Sequence, residues 1–426
     1  MRLHSRPGLL SDHDYRQLFA ATTVSQVGFH ITALAVPLVA IITLDAGAFE
    51  VGVLAAVSMA PFLLVGLPAG AWVDRMRRRR VLIAGDLGRA GLLVTVPVAG
   101  WVGALTIWHL YAVAFGVGVF TVFFDVAYQS YLPHLVGRAH LVEGNARLES
   151  VRAVAQLAGP ALAGQLVRLL TAPVALLVDA VALAGSALFV TRIRKPEQRP
   201  ARAPDARLLR EIGQGLRFVL GHRLLRAIVT CTASFNLLAA AYGPMMLVYL
   251  ERDLAQDAGT IGLVLALLGA GGLAGALLAR RFAGLIGQGP AIWVSAALSA
   301  PFMLLLPLLA EPGWRLWVAA AGGAVASVGV VVYNITQVSF RQAITPDHLL
   351  GRMNATIRFL VFGTIPVGGV LGGALGEVLG VRGALLVAAL GQCLAFLPVF
   401  LSPLRTMRTL PTRPDGAPES LQPAPS

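Results

Sequence analysis

The chain has 426 residues, of which 57% are hydrophobic and only 13% are charged. Water-soluble proteins have about 25% charged residues, so this composition argues against a soluble enzyme and indicates an integral membrane protein. The formal net charge of +13 at pH 7 is explained by basic loops that face anionic lipid, so it does not indicate nucleic-acid binding.

Apolar segments that could cross a membrane follow one another along the whole chain. A helix needs about 20 residues to cross the hydrocarbon core. Hydropathy, together with Gly, Pro and charged residues between the segments, predicts twelve helices. They lie near 17–43, 49–72, 80–100, 105–131, 145–168, 173–191, 223–249, 258–280, 289–309, 314–340, 354–377 and 381–402. The predicted fold class is therefore an all-α integral membrane protein with twelve transmembrane helices.

The N-terminal segment and the cysteines refine this prediction. The residues before the first helix are charged and polar for too long to be a cleavable signal, so the first helix should remain as a span. Cys231 and Cys393 both fall inside predicted spans, where a disulfide framework has no purpose. We interpret both cysteines as small apolar residues.

Basic residues occupy alternate connections between the helices. They include residues 75–80, the segment 192–223, Arg280 with Arg281, and residues 405–413. Short loops that keep Lys and Arg stay on the cytoplasmic side of a membrane. We therefore expect a multi-pass protein of the inner (plasma) membrane with both termini in the cytoplasm.

The second half of the sequence repeats the first. Three pairs of residues align at one constant offset, namely Asn145 with Asn354, Gly159 with Gly368, and Gly164 with Gly373. This duplication predicts two pseudo-symmetric six-helix bundles, residues 1–191 and 223–402, joined by a central basic cytoplasmic loop, 192–222. Within that loop, residues 208–220 are patterned as an amphipathic surface helix. The Pro-rich tail, 403–426, is predicted to be disordered and cytoplasmic.

Two short motifs carry a family resemblance. The run GAWVDRMRRRR, residues 70–80, resembles the signature G-x-x-x-D-R-x-x-R-R that joins helices two and three in the major facilitator superfamily. GPALAG, residues 159–164, is similar to the glycine–proline motif in helix five of exporters in that superfamily. With segments such as TPDHLLGRMNA, the resemblance covers nearly the whole chain. It is closest to the branch that contains enterobactin exporters and macrolide efflux pumps.

This resemblance departs from the family pattern at two positions. Arg77 stands where the superfamily usually has glycine, and Ala163 replaces the first glycine of the usual double glycine in helix five. The second departure weakens the argument from this motif to the direction of transport. An importer of the same fold therefore stays open as an alternative.

The resemblance implies a secondary active transporter that works by alternating access. The expected activity is proton-coupled efflux of a bulky amphipathic small molecule, such as a drug, an antibiotic or a siderophore, because the predicted cavity is apolar and aromatic. The sequence has no Walker A, HExxH or zinc-type Cys/His cluster, so neither direct ATP coupling nor an enzyme is indicated. The expected partners are the substrate, protons and lipid, with no cofactor, metal, nucleic acid or obligate protein partner. A non-transporting membrane sensor is the alternative from another class.

The charged run between helices two and three is predicted to form a latch. The predicted latch residues are Asp74, Arg75, Arg78, Asp86, Arg89 and Asp125. We expect Asp125 to pair with Arg75 or Arg78, since ion pairs strengthen where protein and membrane exclude water. Such pairs would hold the bundles together while the site faces outward, and would separate when it opens inward. The alternative interpretation is a static staple, in which these ion pairs hold the loop between helices two and three in one fixed position.

Glycines in helices five and eleven are predicted to let these helices approach their neighbours closely. Small residues at helix contacts in membranes allow such close packing. The predicted packing motif consists of Gly159, Pro160, Gly164, Gly368 and Gly373. Ordinary tight packing explains each glycine equally well when it is taken alone.

The substrate cavity should be lined by helices one, four, seven and ten if the resemblance holds. Polar groups inside spans are costly unless they face protein or water, so they are the default candidates. The polar and aromatic residues at mid-depth in these helices are Gln26, His30, Phe115, Phe120, Thr121, Ser234, Asn236, Tyr242, Tyr333, Asn334 and Gln337. Some of them are expected to be hydrogen-bonding residues between helices instead.

A proton carrier is predicted in the first or the sixth helix. The first helix has no carboxylate beyond Asp14 at its mouth, but it has His30 near its middle. Histidine titrates near cellular pH, which suits proton exchange. Asp179 in the sixth helix is the rival candidate, as an acid within the membrane. Because the sixth helix usually packs outside the cavity in this superfamily, His30 is preferred.

Overall fold

The computed structural model describes residues 9–73, 75–137, 140–197 and 216–408, and its regular secondary structure in these ranges is helical. In the first half, α1 is His13–Leu38, followed directly by a π-helix at Val39–Thr43. The next helices are α2 Ala48–Leu64, α3 Gly66–Val73, α4 Arg78–Trp101, α5 Ile107–Val136, α6 Leu141–Leu170 and α7 Ala172–Thr191. Asp12 caps α1 by accepting hydrogen bonds from the backbone N–H groups of Asp14 and Tyr15.

The second half begins with α8, Arg223–Val248, which again continues as a π-helix, Tyr249–Asp253. The remaining helices are α9 Ala258–Ile286, α10 Gln288–Ser299, α11 Leu305–Leu309, α12 Trp314–Ala343, α13 Asp347–Gln392 and α14 Leu397–Phe400. Across the described residues, 10 helices are long and apolar enough to cross a membrane. This makes the chain an all-helical, multi-pass membrane protein, with ten such helices where twelve were predicted.

One difference from the predicted twelve lies in the second helix. The predicted span 49–72 is divided into α2 and α3, and α2 alone has 17 residues. Pro68 has no backbone N–H, so it cannot donate to the carbonyl of Leu64, the residue at which α2 ends. The helical path continues after Val65, whose N–H donates to Pro61.

The other difference is that the last two predicted helices form one run, α13. This run has 46 residues and would be about 69 Å long if straight, more than twice the ~30 Å hydrocarbon core. Gly380 interrupts it with φ of 74°, a conformation that glycine adopts without strain. The break falls between the predicted spans 354–377 and 381–402.

The sequence repeat extends to the backbone. Asp45 and Ala255 both have φ of 49°, and each follows one of the two π-helices. The N–H of Leu44 donates to Val39 over 3.1 Å, and the N–H of Leu254 donates to Tyr249 over 3.0 Å. The loops that follow α1 and α8 are therefore built in the same way, 210 residues apart.

The helices define two ends of the molecule. We call the end that carries the start of α1 and residues 192–197 the termini end, and the end that carries loops 44–47 and 254–257 the opposite end. Three exposed tryptophans, Trp101, Trp108 and Trp314, flank loops at the opposite end. Tryptophan at this level is typical of a membrane–water interface.

Helix contacts join the two halves along two seams. Helix α2 packs on α13, and α6 packs on α9. Within the first half, α1 packs on α6 and α7, while α4 packs on α5 and α7. Within the second half, α8 packs on α13 and α9 packs on α12. The space between the two seams holds the candidate site.

Several sequence predictions lie wholly or partly outside the described residues. These are Asp74 of the predicted latch, residues 208–215 of the predicted surface helix, residues 198–215 of the central loop and residues 409–426 of the tail. Residues 216–220, at the end of the predicted surface helix, are helical.

Candidate functional site

A central cavity of about 770 Å³ lies between the two halves of the chain. Most of its wall comes from α1, α2, α4, α5 and α6, and the second half contributes α8 and α13. Apolar residues dominate the wall, among them Phe29, Phe62 and Phe124. A cavity of this size with a largely apolar wall matches the properties of small-molecule sites.

Three of the predicted cavity residues line this space, namely Gln26, His30 and Thr121. Thr121 donates its hydroxyl to the carbonyl of Val117 over 2.7 Å. Further polar and charged lining residues were not among the predicted ones for the cavity: Ser25, Thr32, Ser58, Arg89, Asp125, Arg152 and Gln156. The termini side of the cavity therefore carries more charge than the sequence suggested.

The other predicted cavity residues are not among those lining this space: Phe115, Phe120, Ser234, Asn236, Tyr242, Tyr333, Asn334 and Gln337. Phe120 packs against Gly88, where a Cβ would lie 2.5 Å from the ring. Asn334 is exposed, as is Phe115. Hydropathy indicates how deep a residue lies in the membrane, but the rotation of each helix about its own axis decides whether the side chain points into the cavity.

Polar residues of α8 and α12 hydrogen-bond within the helix packing of the second half. Tyr242 donates its hydroxyl to the carbonyl of Met303 over 3.0 Å. The hydroxyls of Tyr333 and Thr232 lie 2.6 Å apart, and both residues are buried. These hydroxyl groups therefore make hydrogen bonds between helices, as polar residues do inside membranes.

His30 lies where α1 crosses α6. The helices approach so closely at this point that a Cβ on Gly159 would lie 2.5 Å from Cδ2 of His30. Gly159 is therefore needed to accommodate the imidazole. The ring also makes an edge contact with Phe29, at 5.4 Å between centroids, and faces the cavity.

Asp179 is fully buried at the contact of α7 with α1. Its Oδ2 accepts a hydrogen bond from the hydroxyl of Thr32. Its Oδ1 has no hydrogen-bond partner among the described residues. The carboxylate packs against Gly28, where any side chain would overlap it.

Asp86 and Arg89 form an ion pair inside the first half. Arg89 Nη2 lies 2.5 Å from Asp86 Oδ1, and the two side chains are 8% and 0% exposed. Ser186 of α7 donates its hydroxyl to the other oxygen of Asp86 over 2.7 Å. The Arg89 guanidinium stacks over the ring of Phe124 at 4.5 Å. This cluster connects α4, α5 and α7.

The basic residues of the charged run contact the end of α7. Glu197 accepts hydrogen bonds from the backbone N–H groups of Arg78 and Arg79, and its carboxylate lies 3.9 Å from Nη1 of Arg78. Arg75 is exposed. Asp125 instead lines the cavity, where Arg89, Arg152 and Arg358 act on it electrostatically. Among the described latch residues, Arg78 lies beside Glu197, Asp86 pairs with Arg89, and Asp125 lines the cavity.

The halves approach most closely through glycines in α2, α6, α9 and α13. A Cβ on Gly52 would lie 2.5 Å from the carbonyl oxygen of Gly369 and 2.7 Å from Cα of Gly373. A Cβ on Gly164 would lie 2.8 Å from Cα of Gly262. Both crossings are nearer the opposite end, because α2 and α9 begin there.

Ion pairs also connect the halves at the opposite end. Arg252 Nη2 lies 2.8 Å from Asp45 Oδ1, and Arg168 Nη1 lies 3.7 Å from Asp257 Oδ2. Hydrogen bonds from Thr260 hold the pKa of Asp257 below its usual value, so this carboxylate stays ionised. Both pairs are partly exposed to solvent, so each stabilises the contact by only about 0–1 kcal/mol.

Sequence reasoning missed Gly52, Gly262 and Thr32. The internal repeat pointed towards the two glycines, because they face Gly373 and Gly164, which the repeat had already paired. Thr32 has no such signal, since a threonine within a span usually bonds its own backbone.

Comparisons with known proteins agree with this architecture. A family model described as "Transmembrane secretion effector" matches residues 7–421. The chain is 31% identical to the multidrug efflux pump Tap of Mycolicibacterium fortuitum, over 92% of this chain and 96% of that one. It is 26% identical to the enterobactin exporter EntS of Citrobacter koseri, over 96% and 97%.

Among solved structures, a bacterial homologue of the iron transporter ferroportin in an inward-facing state superposes with a TM-score of 0.74. Its sequence identity is 14%, and the superposition covers 91% of this chain and 98% of that one. The predicted superfamily resemblance is confirmed by the family match and the relatives. The chain therefore belongs to the transmembrane secretion effector family and is an efflux transporter of the major facilitator superfamily type.

Proposed function

We propose that this protein exports a bulky amphipathic small molecule in exchange for protons, by alternating access of the central cavity. The observation that carries the proposal is the cavity of about 770 Å³, which lies between the halves while glycine crossings join them nearer the opposite end. Such an arrangement suits a cavity that is reached from the termini end. Closure there and separation at the glycine crossings would expose it to the other side.

Twelve membrane crossings in two six-helix bundles, residues 1–191 and 223–402, are part of this proposal. The helical path through α2 and α3 and the break of α13 at Gly380 support the two additional crossings. The matching loops after α1 and α8 support the duplication. We place the termini end, the loop 192–222 and the tail in the cytoplasm, because basic residues favour that side of the inner membrane.

Cysteine labelling tests this orientation. In a chain with Cys231 and Cys393 replaced by alanine, a membrane-impermeant maleimide added to intact cells should label Ala104→Cys and miss Arg194→Cys. Both positions are exposed, and they lie at opposite ends of the molecule. After cell lysis, both variants should react. The reverse pattern in intact cells would contradict the proposed orientation.

The cavity wall favours an amphipathic substrate over a sugar or an inorganic ion. Its aromatic and aliphatic surface can bury an apolar body, while Gln26, His30 and Thr121 supply a few hydrogen-bonding groups. Asp125 and Arg152 add charge towards the termini end. The names of the relatives, a multidrug pump and an enterobactin exporter, support a substrate of drug or siderophore type.

The latch is proposed for the state that opens outward. Arg358 of α13 acts electrostatically on Asp125 of α5, so charges of the two halves already lie near enough to interact. When the termini end closes, Asp125 would pair across the halves, with Arg75 and Arg78 near the same surface. Asp74, Asp86 and Arg89 would extend this network within the first half.

Proton coupling is tested by transport in everted membrane vesicles with ethidium as the probe. Vesicles that contain the protein should accumulate ethidium when their interior is acidic, and should lose this accumulation when an uncoupler removes the proton gradient. Vesicles without the protein are the control. Accumulation that persists after the gradient is removed would contradict proton coupling, and accumulation only under the reversed gradient would favour the importer alternative. His30 and Asp179 are the two candidate carriers.

A further inference from the structure

Asp179 lies behind the cavity wall and not in it. The residue is 1% exposed and is packed between α7 and α1. An isolated carboxylate is costly to bury in its ionised form unless it is paired or neutralised by a proton. Oδ1 has no hydrogen-bond partner among the described residues, so a proton on the carboxyl group would not displace an existing contact there.

The first helix is shaped to receive this carboxyl group. Gly28 leaves the space that Oδ1 occupies, and any side chain at this position would overlap it. One turn further along, Thr32 donates its hydroxyl to Oδ2. Helix α1 thus accommodates Asp179 in the space beside Gly28 and holds it by the hydrogen bond from Thr32.

Thr32 connects this buried group to the cavity. It lines the cavity and is only partly buried, whereas Asp179 does not line it. A threonine hydroxyl both donates and accepts hydrogen bonds. It can therefore accept a proton from a hydronium ion in the cavity while passing its own proton to Oδ2, which leaves a water molecule, an unchanged threonine and a protonated carboxyl group. The reverse transfer returns the proton, and no other bond changes.

The charges around Asp179 leave it without an ion-pair partner. On α4, Arg89 attracts the carboxylate and Asp86 repels it. These two side chains are already paired with each other at 2.5 Å. On α1, His30 faces the cavity and Gly159. A proton is thus the remaining means of neutralising this carboxylate.

We propose that Asp179 holds the exchanged proton and that Thr32 is the hydroxyl through which this proton enters from the cavity. The inference rests on the proposed proton coupling and chooses between its two candidate carriers. Substrate and proton then occupy different sides of α1, so the proton can alter the α1–α7 contact without competing for space in the cavity. His30 becomes a wall residue beside the substrate.

The experiment compares Asp179→Asn with the wild type in proteoliposomes. The amide keeps the size of the side chain and still accepts from Thr32, but it cannot be protonated near neutral pH. Ethidium accumulation driven by a pH gradient should fall at least about tenfold, while gradient-free ethidium counterflow should stay within about twofold of the wild type. Asp12→Asn is the matched control, because asparagine caps α1 as well as aspartate does. Its gradient-driven accumulation should be unchanged.

Thr32 gives an independent pair of variants. Thr32→Val removes the hydroxyl at nearly constant volume and should slow gradient-driven accumulation about tenfold, while Thr32→Ser should restore it to within about twofold. Infrared difference spectra between acidic and neutral pH supply a readout that needs no transport. The C=O band of a protonated carboxyl group should be lost in Asp179→Asn and kept in Asp12→Asn.

The outcomes separate this inference from the proposed function. A wild type that accumulates ethidium under the gradient, together with an Asp179→Asn variant that does so equally well, overturns the role of Asp179 and leaves proton coupling standing. A wild type without gradient-driven accumulation contradicts proton coupling itself. In that case, an unchanged infrared band in Asp179→Asn overturns the inference as well.

Discussion

Replacing Gly52 by valine is expected to abolish most transport while leaving the protein folded and inserted. A Cβ at this position would lie 2.5 Å from the carbonyl oxygen of Gly369 and 2.7 Å from Cα of Gly373, and neither backbone atom can rotate away. Overpacking of this kind costs about 1–3 kcal/mol. Because about 1.4 kcal/mol changes an equilibrium tenfold, the closed arrangement of the opposite end should become up to ~100-fold less populated.

Ethidium transport and the distance between the halves measure this effect together. Spin labels on Ala104→Cys and Glu311→Cys, one in each half at the opposite end, should report a longer mean distance when Gly52→Val is added. Gly262→Val should behave in the same way, because Gly262 forms the equivalent crossing with Gly164.

Gly91→Val is the matched control for these two variants. Gly91 also lies within a transmembrane helix, but a Cβ there meets no atom within 4 Å. Normal transport by Gly52→Val and an unchanged label distance would mean that the close crossing is not needed for the transport cycle.

Arg89→Ala is expected to cause the largest loss of stability. Asp86 is fully buried, and the variant would leave its charge without the partner that lies 2.5 Å away. Removing one member of a buried ion pair costs about 3–5 kcal/mol. Thermal and denaturant unfolding in detergent should show this loss in the free energy of unfolding. The double variant Asp86→Asn/Arg89→Ala should recover much of it, because it no longer buries an unpaired charge.

Arg315→Ala is the control for this prediction. Arg315 pairs with Glu311 at 2.7 Å, but both side chains are at least half exposed. Loss of such a surface pair should cost about 0–1 kcal/mol. If Arg89→Ala is as stable as the wild type and yet does not transport, Asp86 and Arg89 belong to the moving latch and not to a static staple of the first half.

The sequence by itself determined the class of the protein and the segments that enter the membrane. Hydropathy depends on the transfer free energy of each local segment, so it located the ten helices that, among the described residues, are long and apolar enough to cross a membrane. The two places where their number differed, α2 with α3 and the run α13, depend on local breaks at Val65 and Gly380. The motifs at residues 70–80 and 159–164 also indicated the family, because both are properties of residue order alone.

Only the tertiary structure decided which side of each helix faces the cavity. Gln26 and His30 face the cavity. Tyr242 and Tyr333 lie in helices that are also predicted from hydropathy, but their side chains point into contacts between helices. A helix turns its side chains by about 100° per residue, so its rotation about its own axis, and thus the facing of every polar group, is set by packing against several other helices. The partners of Gly52 and Asp179 lie more than 140 residues away in sequence, at Gly373 and Thr32. Contacts at such separations arise from how the helices are arranged, and hydropathy contains no information about that arrangement.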